Sequence, residues 1–389
     1  MPAPLSCHRV WFGLALISLG ATQLSEATTP PGFEPALPGY TFRFPYDHGA
    51  HPSYATEWWY YTGHLKTADG HRFGYELTWF RTALAPRVER DSAWAARDLY
   101  FAHFAITDEA SGRFLFTDRM ERGSLGMAGA DPASLTSCPK VWIGPWTLQF
   151  SGPGGAQQNL RAAGTNDGDD GPVPFALDLN QKALKPPVDE GERGVSQKSA
   201  GPGHASHYYS YTRLASNGTV VLGGTRYAVT GQSWFDHEFG SDQMGDNQVG
   251  WDWFSVQLAD GRDLMLYRMR LKDGGTEPCS SGTLVDAAGH STHLKLSEFD
   301  LVPSGTWHSA NSGANYPSTW EARLPGLGLD LLVAPSVAGQ ELRPQRSGGG
   351  LFAYWEGSVG ISGTDHGRAI SGAGYLEMTG YAVGMKGLV

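Results

Sequence analysis

The chain has 389 residues, enough for two domains of ordinary size, each able to bury its own core. Its formal charge of −10 speaks against a nucleic-acid partner, because a phosphate backbone wants a basic face. The 52 glycines, 13 tryptophans and 16 tyrosines suit many tight turns around an aromatic interior or cavity lining.

At the N-terminus His8 and Arg9 precede an apolar run from Val10 to Ala21, and Ser25 and Ala27 supply small residues at a cleavage site. This is the layout of a secretory signal peptide over residues 1–27, cleaved near Ala27, which predicts a periplasmic or secreted mature protein. The run falls short of the roughly 20 apolar residues that a bilayer span needs. Cys7 lies ahead of the run and so is not placed to carry a lipid. The mature chain keeps Cys138 and Cys279, whose spacing does not decide whether they meet.

Strand signals then repeat throughout. Phe73, Tyr75, Leu77 and Trp79 alternate with Gly74, Glu76, Thr78 and Phe80, after a hairpin turn at Asp69-Gly70. Leu99 to Ile106 predicts a strand with Tyr100, Ala102, Phe104 and Ile106 on one face. From Ser151 to His204 glycine, proline, aspartate and asparagine dominate, which predicts flexible loops broken by one short strand around Phe175 to Leu179. Strands resume at Tyr208. Trp251 to Leu258 places Phe254, Val256 and Leu258 opposite Trp253, Ser255 and Gln257, and Leu264 to Arg270 follows the turn Ala259-Asp260-Gly261. A second flexible stretch is expected from Gln345 to Gly350. No mature segment carries a long helical period. The expectation is an all-β protein with two antiparallel barrel domains, over 28–215 and 216–389.

Four clusters set ionisable groups among large rings: Glu57-Trp58-Trp59-Tyr60-Tyr61, His103 between Ala102 and Phe104, Trp234-Phe235-Asp236-His237-Glu238 with Gly250-Trp251-Asp252-Trp253-Phe254, and Tyr354-Trp355-Glu356-Gly357. A carboxyl against an apolar ring loses solvation of its charged form and stays protonated to higher pH, so it can act as a general acid. A cation forming nearby is stabilised by the ring faces. These are the ingredients for protonating a carbon–carbon double bond. The first and fourth clusters read more readily as structure, with Glu57 pairing with Arg81 or Arg270, and His103 reads as a core histidine. The Asp236-His237-Glu238 run reads as chemistry, since three ionisable groups in a row beside tryptophan are costly unless paired or used. No Gly-x-Ser-x-Gly elbow, zincin helix, paired-cysteine knuckle or phosphate-cradling glycine loop occurs, so no cofactor or metal is expected. A metal site from His103, Asp236 and His237 is set aside.

Those clusters, with Gly63 and with Gly374-Tyr375-Leu376-Glu377-Met378-Thr379-Gly380-Tyr381, resemble the AttH-type predicted secreted hydrolases, relatives of carotenoid 1,2-hydratase in the lipocalin-like superfamily. The resemblance runs from about Phe44 to Tyr381. It implies two calycin-type β-barrels and, for the hydratase branch, cofactor-free addition of water to an isoprenoid alkene by an aspartic acid flanked by histidine, tryptophan and tyrosine. Trp251-x-Trp253 stands where the hydratases carry histidine-x-tryptophan, Tyr267 matches their tyrosine, and Met269 stands where they carry the aspartate. The expected catalytic set is therefore Asp236, His237, Glu238 and Asp252, with His237 positioning the acid or activating water. Glu57, Trp59, Tyr60, His103, Trp234, Trp251, Trp253 and Tyr267 are expected to line the pocket. The expected ligand is a lipophilic small molecule, with a membrane surface or a transporter as a further conceivable partner. A lipocalin-like carrier that catalyses nothing, and a secreted hydrolase, are the competing readings.

Overall fold

A computed structural model describes residues 29–87, 92–168, 171–346 and 352–385. The expected signal peptide and most of the stretch Gln345 to Gly350 lie outside the described residues. The architecture is nearly all β, in two large antiparallel sheets and a small ribbon.

The first sheet has thirteen strands: β1 (Thr56–Lys66), β2 (Arg72–Ala83), β3 (Asp98–Asp108), β4 (Arg113–Arg122), β5 (Ala128–Ala130), β6 (Lys140–Ile143), β7 (Trp146–Ser151), β8 (Gln157–Gly168), β9 (Gly171–Ala183), β10 (Val188–Asp189), β11 (Val195–Gln197), β12 (Ala205–Leu222) and β13 (Thr225–Gly240). Its order β4-β3-β2-β1-β13-β12-β9-β8-β7-β6-β5 joins two meanders through the long β12–β13 hairpin, and the sheet curls into a nearly closed barrel. The hairpin turns on Gly223 and Gly224, both at positive φ, and Gly70 does the same for β1–β2. Inward residues of period two fill one core, including Trp59, Tyr61, Leu77, Trp79, Phe104, Leu160, Leu177 and Phe235.

The second sheet has ten strands: β14 (Gln248–Leu258), β15 (Asp263–Leu271), β16 (Ser281–Val285), β17 (Ser291–Lys295), β18 (Asp300–Ser304), β21 (Thr319–Leu324), β22 (Leu329–Pro335), β23 (Glu341–Leu342), β24 (Tyr354–Asp365) and β25 (Arg368–Met378). The intervening β19 (Trp307–His308) and β20 (Asn315–Tyr316) pair only with each other. The order β17-β16-β15-β14-β25-β24-β22-β21-β18 makes a half-barrel around Phe254, Leu266, Trp320, Leu331 and Leu376.

Two local expectations change. Residues 151–183 are not loops with one short strand: β8 and β9 form a long paired hairpin. Its inner positions are few and small to medium, such as Leu160, Ala162, Leu177 and Leu179, while the outer face is polar, so the apolar signal is weak. The chain changes sheets between Gly240 and Gln248, whereas the division expected at 215/216 falls inside β12, which pairs with β13 on both sides of that point. Cys138 and Cys279 are both free thiols.

Candidate active site

Between the two sheets lies a third apolar cluster of Tyr60, Tyr208, Trp234, Met244, Trp253, Met265, Tyr267, Met269 and Tyr375. It surrounds a cavity of about 290 Å³. One wall is the outer face of the barrel: Trp58 and Tyr60 from β1, Thr78 and Phe80 from β2, Asp236 and Glu238 from β13. The other is the facing side of the second sheet: Trp251, Trp253, Tyr267, Met269, Tyr354, Glu356 and Glu377. The connection between sheets, at Ser241 to Met244, and the pair Lys198 and Tyr208 complete the lining. From this cavity an aromatic row runs outward across the barrel, since Trp58, Phe80, Phe101 and Met120 are successive cross-strand partners. The Phe80 and Phe101 rings stack at 4.6 Å, and Met120 at the far end is exposed.

Strand alternation divides the Asp236-His237-Glu238 run. Asp236 and Glu238 face the cavity, and His237 faces the barrel interior. There His237 Nε2 bonds Glu57 Oε1 at 2.9 Å, its ring stacks on Trp59 at 4.8 Å, and Nδ1 meets the Tyr209 hydroxyl at 3.1 Å. Glu57 also holds His51 Nδ1 at 2.7 Å and Arg81 Nε at 2.9 Å. His51 in turn reaches Asp47 at 3.0 Å. Burial opposes the Glu57 charge, but the Arg81 and His51 charges outweigh it and hold the carboxyl well below its usual range. Burial pushes His237 down and leaves it neutral. Donor atoms of His51, Glu57 and His237 come within 4.8 Å of one another, a spacing a metal could use. Each of those ring nitrogens already has a hydrogen-bond partner and Arg81 sits on Glu57, so the cluster works as a closed polar plug. Glu57, Trp59 and His237 therefore leave the expected site.

The second sheet repeats the device. Trp251 and Trp253 face the cavity, and Asp252 between them points the other way, to Arg268 at 2.8 Å, Arg270 at 3.3 Å and the Tyr381 hydroxyl at 2.9 Å. Asp252 is thus no candidate acid. His103 lies one layer behind the cavity, with Nδ1 at 2.5 Å from the Tyr354 hydroxyl. Burial lowers it to about 4, so it is neutral near pH 7. Trp234 likewise stands behind the wall and donates to Asp236 at 2.6 Å. Tyr60, Trp251, Trp253 and Tyr267 line the cavity.

The acids facing the cavity differ in their partners. Glu238 is paired with Lys198 at 3.0 Å and accepts from Ser206. Burial works against the Lys198 charge, yet Glu238 outweighs it and keeps the ammonium above its usual range. Glu238 is a counter-ion and not a proton donor. Asp236 accepts from Ser210 at 2.5 Å and from Trp234, with no ion-pair partner among the described residues, and burial pushes it well above the carboxylate range. Glu356 and Glu377 are direct cross-strand partners on β24 and β25. Glu356 accepts from the Tyr60 hydroxyl at 2.6 Å, and Glu377 from Trp251 Nε1 at 2.9 Å. Burial and the neighbouring Glu377 push Glu356 well up, and burial brings Glu377 to about 7. Behind them Glu76, buried and bonded by Thr78, is raised to about 8.

Glu356 and Glu377 are thus the acids that the sequence reading passed over. Both sit in motifs that it singled out, but only the β24–β25 register shows the two carboxyls side by side. Among the described residues no histidine lines this cavity, and Ser241 on its rim donates to the Glu34 carbonyl. The serine–histidine pair of a hydrolase is not assembled there.

The sequence profile of the AttH-like family matches residues 35–381. The chain belongs to the AttH-like family. No curated protein matches it by sequence. Among solved structures, an AttH protein from Nitrosomonas europaea is 32% identical, with a TM-score of 0.77 over 90% of this chain and 100% of that one. Kievitone hydratase from Nectria haematococca shares the fold at 14% identity, with a TM-score of 0.63 over 92% of this chain and 99% of that one. This AttH-like protein thus shares its two-sheet frame with kievitone hydratase.

Proposed function

We propose that this AttH-like protein is an exported hydratase, or the lyase of the reverse reaction, acting without cofactor on an apolar alkene. The observation that carries the reading is the Glu356–Glu377 pair: two adjacent buried carboxyls, neither in an ion pair among the described residues, facing an aromatic cavity. Two such groups cannot both ionise, so one holds a proton at neutral pH while its neighbour can lose one. Glu356, anchored on one oxygen by Tyr60, gives its proton to one alkene carbon. The faces of Trp58, Trp251 and Trp253 stabilise the cationic carbon that forms. Water adds to that carbon, and ionised Glu377 takes the proton that the water releases. The alkene and one water become one alcohol, and the shared proton returns to Glu356. Asp236 remains protonated in the opposite wall.

The reading is tested by incubating the mature protein with terminal isoprenoid alkenes in water enriched in heavy oxygen and deuterium. Both labels are expected in the alcohol, at the two carbons of the former double bond. Glu356→Gln is expected to lower turnover by about 100-fold or more, in line with loss of a positioned general acid. Retained binding with no label across the panel would sink the hydratase reading and leave the carrier.

A further inference from the structure

Among the described residues, Lys198 is the one cation facing the cavity. It lies between β11 and β12, is 8% exposed, and its backbone amide is fixed on the His204 carbonyl at 2.8 Å. Its Nζ meets Glu238 at 3.0 Å and stands over the Tyr267 and Tyr208 rings at 4.5 and 5.2 Å. An ammonium has three donors, and among the described residues Glu238 is its only ion-pair partner. A buried ion pair is seldom the most stable filling for such a place, and apolar side chains of similar size would serve packing as well. The neighbouring hydroxyls are already committed. Tyr267 donates to the Gln197 carbonyl at 2.8 Å, and Tyr208 accepts from Trp253 at 3.2 Å and bonds Asp236. Lys198 is therefore a charged donor on the cavity that a ligand can still use.

We propose that the Lys198 end of the cavity is a subsite for a neutral carbonyl oxygen on an otherwise apolar ligand. Charge selects the neutral acceptor. Glu238 already neutralises Lys198, and an anionic head would face Glu238 with no second cation among the described residues lining the cavity. A carbonyl needs only the free N–H and leaves the ion pair intact. The ligand is then oxygenated at one end and apolar at the other, and its oxygen fixes which carbons lie toward Glu356 and Glu377. The inference rests on the proposed function only in taking this cavity as the ligand site.

The probes are 4-phenyl-3-buten-2-one, its hydrocarbon counterpart 1-phenyl-1-butene, and cinnamate as the anion, each measured by equilibrium dialysis against the mature chain. The wild type is expected to hold the ketone about 10-fold more tightly than the hydrocarbon, as suits one hydrogen bond to a charged donor. Cinnamate is expected to bind less tightly than the ketone. Lys198→Met is expected to erase the ketone's advantage while leaving the hydrocarbon within about two-fold. Lys198→Arg, which keeps donor and charge, should retain a preference and covers the case in which the methionine variant fails to fold. Equal binding of ketone and hydrocarbon by the wild type would overturn the subsite, as would a parallel loss of both in Lys198→Met. Tighter binding of cinnamate than of the ketone would overturn its neutrality. Since no probe needs to react, these outcomes are independent of the labelling experiment.

Discussion

Glu57 and Glu356 are both buried carboxyls on strands that border the space between the sheets, yet they live in opposite electrostatic states. Glu57 points into the barrel and is met by Arg81, His51 and His237, so its charge is the stable form. Glu356 points between the sheets and is met by a tyrosine hydroxyl and two other acids, so its neutral form is the stable one. Burial alone raises both; the presence of a guanidinium decides the outcome. The same contrast separates Asp252, on Arg268 and Arg270, from Asp236, which has only neutral donors. Of these four acids, the arginine-paired Glu57 and Asp252 point away from the cavity, and Glu356 and Asp236 face it.

The comparison can be broken by removing one member of each class. Glu57→Ala takes from buried Arg81 one of its two carboxylate partners, leaving only Asp98 at 3.0 Å, and is expected to cost about 3–5 kcal/mol of stability, read by urea unfolding. Glu356→Gln keeps the shape, buries no new charge and accepts from Tyr60 as before. It is expected to change stability by less than about 1 kcal/mol while abolishing label incorporation. If Glu356→Gln unfolds the protein as readily as Glu57→Ala, the division between plug and cavity acids fails.

The pH dependence sharpens the same division, with opposite signs. Glu57 is depressed in the folded protein, so its contribution is present above the ordinary glutamate value of 4.5 and is lost as pH falls below it. Glu377 at about 7 and Glu76 at about 8 are raised, so the folded state binds their protons more tightly than the unfolded chain does. Their contribution is complete below 4.5 and is lost as pH rises through 7 to 8. Thermal unfolding is therefore expected to show greatest stability on the acid side of neutrality, near pH 5. Glu377→Gln should flatten the decline between pH 5 and pH 8. An unchanged decline in that variant would place the titrating group elsewhere.

The smallest expected effect concerns His103, whose ring holds the Tyr354 hydroxyl from behind the wall. His103→Asn keeps a polar partner for that hydroxyl and is expected to lower turnover by less than about 10-fold, with no loss of a titration near pH 6.5. A loss as large as that of Glu356→Gln would move His103 into the chemistry.

Much of this fold was legible in the chain. Period-two alternation marks β2, β3 and β14 and groups the residues that share a face, and the Asp69-Gly70 turn lies where the hairpin closes. It finds only the Phe175 to Leu179 part of the β8–β9 hairpin, because strands with few buried positions and a polar outer row carry little hydrophobic signal. In the site, adjacency in sequence misleads for a physical reason. Neighbours on a strand face opposite sides, so Asp236-His237-Glu238 and Trp251-Asp252-Trp253 each contribute to two different environments. Alternation by itself could have separated His237 from its flanking acids, though not told which side was the cavity.

The sequence by itself determined an aromatic all-β chain of the AttH-like kind, with acids set among tryptophans. Strand period and residue type are local properties, and they survive without knowledge of the partner strand. Only the tertiary structure decided which acids are held charged by a cation and which are pushed toward the neutral form. That choice depends on what lies across the sheet and between the sheets: Arg81 comes to Glu57 from a neighbouring strand, Lys198 to Glu238 from a crossing segment, and Glu377 to Glu356 by register alone. The protonation state of a buried carboxyl is set by such neighbours, and no spacing along the chain records them.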